Sequence, residues 1–232
     1  NQYFKTYFLK FNVEEENNIF KLEFEKVYKT IFFKQGSDKE GVKKRYAGRI
    51  IWDGDTCDKF YRMGFESRRS DSPQVGRKFM DEVLKMIVYE KEQKEIEEYI
   101  DKFKLQIKEE FTPEEIAIPI GISKSLHKYK NQIHAKAARL ANQKHNAQIQ
   151  QGDKIKYIYV KNSDRVIGFK SDGYMPEGYQ INYDMMIRRI IDLKVGPLFD
   201  SLGWKHKYIT KISKKKPKIL LLKDIMKQNE LW

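Results

Sequence analysis

The stretch RIIWDGDTCDKFYR, residues 49–62, places Asp53, Asp55 and Asp58 within six positions. Closely spaced carboxylates on a tight turn are one way in which phosphoryl-transfer enzymes hold Mg²⁺, a hard cation that takes oxygen ligands in near-octahedral geometry. The same residues fit a plainer role. Asp-Gly between two apolar-rich runs is a strong hairpin signal, because both residues tolerate positive φ. A metal pair needs carboxylates converging on one cation from a rigid site, whereas an exposed hairpin tip leaves them hydrated. The turn is the favoured reading, and it assigns no metal ligand to this segment.

A second cluster carries the opposite charge. In GVKKRYAGR, residues 41–49, Lys43, Lys44 and Arg45 precede Tyr46 at the opening of a strand. Successive residues of a regular strand face opposite sides, so Lys44 and Tyr46 are expected to project together, with Lys43 and Arg45 on the other face. A lysine beside an aromatic ring on a sheet suits a duplex edge, while its neighbours meet phosphate. Basic strand ends also occur simply as solvated edges.

The charge balance favours a polyanionic partner. The net charge is +13, and residues 205–232 supply seven of those charges, with nine Lys against two acids. Between Gly76 and Glu110, by contrast, eight basic residues meet ten acidic ones, as on a mixed solvated surface. Excess charge confined to particular segments is how a nucleic-acid-binding protein reads. Other classes are disfavoured. No apolar run approaches the roughly 20 residues of a membrane span, and no signal-peptide pattern follows Asn1. The single cysteine, Cys57, fits a reducing compartment and excludes a disulfide framework, and the four histidines show no zinc spacing.

Residues 19–33 alternate apolar and polar positions as a half-buried strand does. YAGRIIW and KFYRMGFES read as two further strands joined across the Asp-Gly turn. From Ser72-Pro73 the period changes, and Phe79, Val83 and Ile87, then Ile96, Ile100, Phe103 and Ile107, fall at the three-and-four spacing of amphipathic helices. Pro73 is expected in the first helical turn behind Ser72 or Asp71 as a cap, which also makes this junction a natural hinge. HAKAARLANQ (134–143) reads as a helix, GDKIKYIYV (152–160) as a strand, and residues 182–204 as a helix interrupted near Gly196-Pro197. The chain is therefore of the α+β class.

These segments, in this order, resemble the end of the palm and the thumb of family B DNA polymerases. The basic strand KKRYAG, its hairpin and GFESRRSDSP are similar to the palm-to-thumb passage of that family. ISKSLHKYKNQIHAKAARLANQ resembles a thumb segment in which a tyrosine precedes a His-led helix. GDKIKYIYV and YQINYDMMIRRIIDLKVGPLFDSLGW resemble the closing strand and last helix. Together they span residues 20–204. The resemblance implies antiparallel palm strands in 1–71, a mainly helical thumb in 72–204 and a basic tail in 205–232.

It further implies a DNA-directed DNA polymerase segment that holds the primer-template duplex inside a cell. The DNA-binding residues would be Lys43, Lys44, Arg45, Tyr46, Arg68, Arg69, Lys130 and His134. The family's D-T-D-S metal motif and its nucleotide-gripping fingers motif do not occur in this sequence. Mg²⁺ ligands would then be supplied by the remainder of the polymerase, in the same chain or a large subunit, leaving this segment inactive alone. The end of the tail, KDIMKQNELW, is a candidate sliding-clamp peptide. The rival readings are a non-enzymatic nucleic-acid-binding protein with a basic tail and a small metal-dependent nuclease built on the Asp53 cluster.

Overall fold

The computed structural model describes residues 24–36, 41–65 and 72–208. Two small antiparallel sheets and a set of helices make an α+β fold. The first sheet is a meander of β1 (Val27–Gln35), β2 (Gly41–Trp52) and β3 (Thr56–Met63). The hairpin expected at the Asp-Gly pair joins β2 to β3: Trp52 pairs with Thr56, and Gly54 takes φ +81° at the tip. Of the expected strand over residues 19–33, positions 19–23 lie outside the described residues, and the strand itself begins at Val27.

One face of this sheet is closed by α1 (Gln74–Val88), whose Val75, Phe79, Met80 and Val83 are buried. Phe32, Ala47 and Phe65 of the sheet side join the same core, and the Phe32 and Phe65 rings stack 6.1 Å apart. Polar contacts add to the apolar seam. The Thr30 hydroxyl donates to the Val88 carbonyl, and Arg62 pairs with Asp81. Pro73 stands at the N-cap rather than inside the first turn, and the buried Ser72 makes no capping bond. Asp71 lies outside the described residues.

The helical period continues after a break at Tyr89 and Glu90, where Glu90 adopts φ +59°. In α2 (Gln93–Glu109) the buried residues are Ile96, Ile100, Phe103 and Ile107, the apolar stripe read from the spacing. A single turn, α3 (Pro113–Ile116), follows, started by a capping box between Thr112 and Glu115 with Pro113 in its first position.

The second sheet has the order β4 (Ile118–Gly121), β5 (Lys154–Tyr159), β6 (Val166–Lys170), all antiparallel. Helix α4 (Ile133–His145) lies on it through Ala135, Ala137, Ala138 and Ala141, all fully buried. Small residues permit this approach. A Cβ on Gly168 of β6 would stand 3.0 Å from the Ala137 backbone.

The last helical stretch runs as α5 (Tyr183–Ile187), a π-helical segment (Arg188–Asp192) and α6 (Leu193–Leu202). The expected interruption at Gly196-Pro197 is corrected: Pro197 lies inside α6, and the irregular turn precedes it. Proline offers no N–H to the carbonyl four residues back and crowds it. The widened turn lies just upstream of that position. Helix α6 returns to the first sheet, where the Gln35 N–H donates to the Ser201 hydroxyl at 3.3 Å.

Candidate nucleic-acid interface

The basic strand opens with a bulge. Phe33 pairs with Tyr46 and Gln35 with Gly41, so a single β1 residue faces the four residues Val42 to Arg45. Lys44 sits in the left-handed region at φ +58°. Alternation therefore does not carry through Lys44, and the expected shared face of Lys44 and Tyr46 does not follow from strand geometry. The bulge instead leaves Lys43 and Lys44 exposed, with Arg45 and Tyr46 half-buried. Its shape has a visible cause. Gly64, at φ +68°, lies so close that a Cβ there would stand 2.0 Å from the Lys44 carbonyl oxygen and 3.0 Å from Arg45 Cγ. Only glycine fits such a position.

Tyr46 belongs to an aromatic row on the sheet face opposite α1. Its ring lies 5.9 Å from Phe33, 5.9 Å from Tyr61 and 6.4 Å from Tyr28. Between these rings Gly48 carries no side chain, and a Cβ there would meet the Tyr28 ring at 2.4 Å. Burial, and then the neighbouring Tyr46, push the Tyr28 phenol up to about 12, so it stays neutral at physiological pH. Lys26 Nζ stands over the Tyr61 ring at 5.5 Å.

Lys130 and His134 belong to the segment that leads into and opens α4, the helix on the second sheet. Lys130 is exposed, while His134 is half-buried with its ring edge-on to Tyr129 at 5.0 Å. Burial lowers the His134 pKa, so its imidazole is neutral at neutral pH and contributes polar contacts rather than charge. Three further lysines near them, Lys124, Lys128 and Lys136, are exposed as well. Sequence reasoning missed these three. A signal was there to find: from Ile116 to Gly152 there is no Asp or Glu. Arg139 of the same run is structural, donating from Nη1 to the Leu126 carbonyl at 2.8 Å. Arg68 and Arg69 lie outside the described residues, as do residues 209–232, which hold most of the basic tail and the whole candidate clamp peptide.

The three aspartates of the hairpin do not converge. Asp58 receives a bidentate pair from Arg49 at 3.0 and 2.9 Å and the Tyr89 hydroxyl at 2.8 Å. The Arg49 guanidinium also stacks 4.6 Å over the Tyr89 ring. Arg49, then Tyr89, hold the Asp58 carboxyl below its usual range. Asp55 accepts the Thr56 N–H at 2.7 Å, a turn contact, and Asp53 faces Lys59 Nζ at 3.4 Å. These carboxylates serve the hairpin and its seam with α1. They do not fit a Mg²⁺ centre, and among the described residues no group of acidic, histidine or cysteine side chains is arranged to hold a metal ion.

A model of DNA polymerase family B matches residues 8–215 of the chain. An Archaeoglobus fulgidus protein named DNA polymerase is 33% identical over 147 residues, which is 62% of this chain and 17% of that relative. The chain thus spans under a fifth of the length of the curated relative it matches.

Proposed function

Because the chain belongs to DNA polymerase family B, we propose that it acts in DNA synthesis as the part that binds and positions the primer-template duplex. The observation that carries this reading is the family match over residues 8–215. On this reading residues 1–71 are the last palm strands, 72–204 the thumb and 205–232 a basic tail. Lys43 and Lys44 are presented by the bulge to the duplex, where minor-groove acceptors recur at equivalent places in every base pair. Lys130, with Lys124, Lys128 and Lys136, supplies phosphate contacts that carry no sequence information. Arg45, Tyr46, His134, Arg68 and Arg69 complete the proposed contact set. Family B polymerases use divalent metal, and the carboxylates that hold Mg²⁺ in the complete enzyme come from outside this segment. Alone, the chain incorporates no nucleotide. The tail is the proposed sliding-clamp contact.

The test has two arms. The chain should bind duplex DNA of unrelated sequences equally, with an affinity that falls as salt rises, by roughly 0.9 in log-log slope for each phosphate contacted. Supplied with the remainder of a family B polymerase that lacks this region, it should restore primer extension. Duplex binding without any gain in extension would assign the chain to non-enzymatic nucleic-acid binding. Binding indifferent to salt would remove both readings.

A further inference from the structure

We propose that an exposed ridge of α2, formed by Asp101, Leu105 and Glu109, docks residues 209–211 of this same chain, with Ile209 on Leu105 and Lys211 on Glu109. The inference concerns a contact within the chain and does not depend on the duplex reading. It starts from the last described residues. After α6 the chain turns at Gly203, φ +70°, and lays Trp204, His206 and Tyr208 around the Phe199 ring at 4.9, 5.7 and 5.3 Å. The same short strap reaches α2. Gln93 Nε2 donates to the Lys205 carbonyl at 2.7 Å, and Lys207 Nζ pairs with Asp101 at 3.1 Å. Lys104 Nζ stands 5.0 Å over the Tyr208 ring.

These contacts have a direction. Residues four apart on an α-helix form a slanted ridge, and one ridge of α2 is Gln93, Glu97, Asp101, Leu105 and Glu109. Lys205 is held at its first member and Lys207 at its third. The strap thus descends the ridge towards the C-terminal end of α2, and the last two members lie ahead of it. Leu105 is 56% exposed, an apolar side chain among the exposed charges of Asp101, Lys102 and Lys108. Glu109 is exposed as well and makes no ion pair among the described residues.

The next residues of the chain match what lies ahead. Four helical residues advance about 6 Å, and two extended residues about 6.6 Å. The chain bends at Lys207 and Tyr208, and an extended run from there meets the ridge in step. Lys207 is at Asp101, Ile209 falls at Leu105 and Lys211 at Glu109: cation, apolar, cation against anion, apolar, anion. Tyr208 is an independent sign that more chain belongs here. It is 5% exposed, yet its hydroxyl has no hydrogen-bond partner among the described residues. Burial, then Asp101, Glu97 and Asp192, push its phenol up, so the hydroxyl keeps its proton. A buried donor needs an acceptor, and the carbonyls of residues 209–211 are the next along the chain. Docking there fixes the point from which the rest of the basic tail departs, at the C-terminal end of α2.

The experiment is limited trypsin digestion of the whole chain, read by mass spectrometry, with a synthetic peptide of residues 205–220 as the reference for each bond. Trypsin cuts after lysine, so Lys211 reports on the proposed contact and Lys214 on the chain beyond it. Relative to the peptide, cleavage after Lys211 should be about tenfold slower than after Lys214, the factor that about 1.4 kcal/mol of docking gives when cleavage samples the undocked population. Leu105→Glu, at an exposed position, should abolish that protection, and Leu105→Met should keep it. In a Cys57→Ser background, Leu105→Cys with Ile209→Cys should form a disulfide within one chain faster than Glu95→Cys with Ile209→Cys. Equal relative cleavage after Lys211 and Lys214 in the unaltered chain would overturn the docking. Protection that survived Leu105→Glu, or equal cross-linking from positions 95 and 105, would put the segment on another surface and overturn it too.

Discussion

Replacing Gly64 by alanine isolates the contact that shapes the basic bulge, and Gly54 supplies its control. Both glycines adopt positive φ, +68° and +81°, so an alanine at either pays for the left-handed conformation, about 1–2 kcal/mol. Both variants also restrict the unfolded chain to the same extent, so that effect cancels between them. They differ in what the new methyl meets. At Gly54 nothing lies within 4 Å, while at Gly64 the Cβ would stand 2.0 Å from the Lys44 carbonyl oxygen. The two backbone segments must part by about an ångström, comparable to overpacking a core at about 1–3 kcal/mol. Gly54→Ala is therefore expected to lose about 1–2 kcal/mol in urea unfolding, and Gly64→Ala about 2–5 kcal/mol. Because the displaced segment carries Lys43 and Lys44, Gly64→Ala should also weaken duplex binding under conditions where it remains folded, and Gly54→Ala should not. Equal destabilisation by the two substitutions would refute the claim that Gly64 holds the bulge.

Asp53→Asn combined with Asp55→Asn should leave primer extension by the completed polymerase within a few-fold of the unaltered protein, since their contacts are a surface lysine and a turn amide; a loss of thousands-fold would restore them as metal ligands. Lys44→Ala should lower the log-log salt slope of duplex binding by about 0.9 and reduce primer extension more than Lys215→Ala in the redundant tail; matching losses would point to diffuse attraction instead. The Arg49–Asp58–Tyr89 cluster should show in the pH dependence of stability. The Asp58 pKa is lowered in the folded state, so its contribution is present above the unfolded carboxylate value of about 4 and fades as the pH falls through the lower folded value. The stability gap between the unaltered chain and Asp58→Asn, followed by thermal unfolding, should accordingly close in acid; a gap that widened there would contradict the pairing.

Local signals made much of the fold readable. The Asp-Gly pair announced the β2–β3 hairpin, and the three-and-four spacing announced α1 and α2, because those features depend on neighbours along the chain. The second sheet was only one-third legible. Strand β4 has four residues and contains Pro119, which an edge strand tolerates but which reads as a break in a sequence. Strand β6, VIGFK, is buried at four of its five positions, so it shows no alternation to recognise. The left-handed Lys44 was invisible for a different reason. Nothing in a lysine proposes positive φ; the close approach of Gly64, twenty residues on, goes with it. At the candidate site the charged motif was legible, while the roles of its members were not. Arg49, Asp58 and Tyr89 come from two strands and the end of a helix, and only the fold reveals that they are one cluster. The acid-free run around Lys130 was legible in principle, and it would have pointed to Lys124, Lys128 and Lys136.

The π-helical segment between α5 and α6 has a consequence for which residues the last helix can bury. Each residue of an α-helix advances the side-chain direction by about 100°. A π-turn accommodates one residue more than an α-turn, and so acts as a phase shift within an otherwise continuous rod. Upstream of it, Met186 and Ile187 are buried; downstream, Val195, Leu198 and Phe199 are buried, and Ser201 reaches Gln35 of the first sheet. Wound as regular α-helix with every residue kept, 188–192 would rotate everything after it by about 100°. Phe199 would then leave the nest of Trp204, His206 and Tyr208, whose rings surround it at 4.9, 5.7 and 5.3 Å. The irregular turn is thus a gear between two faces, letting one helix address both sheets.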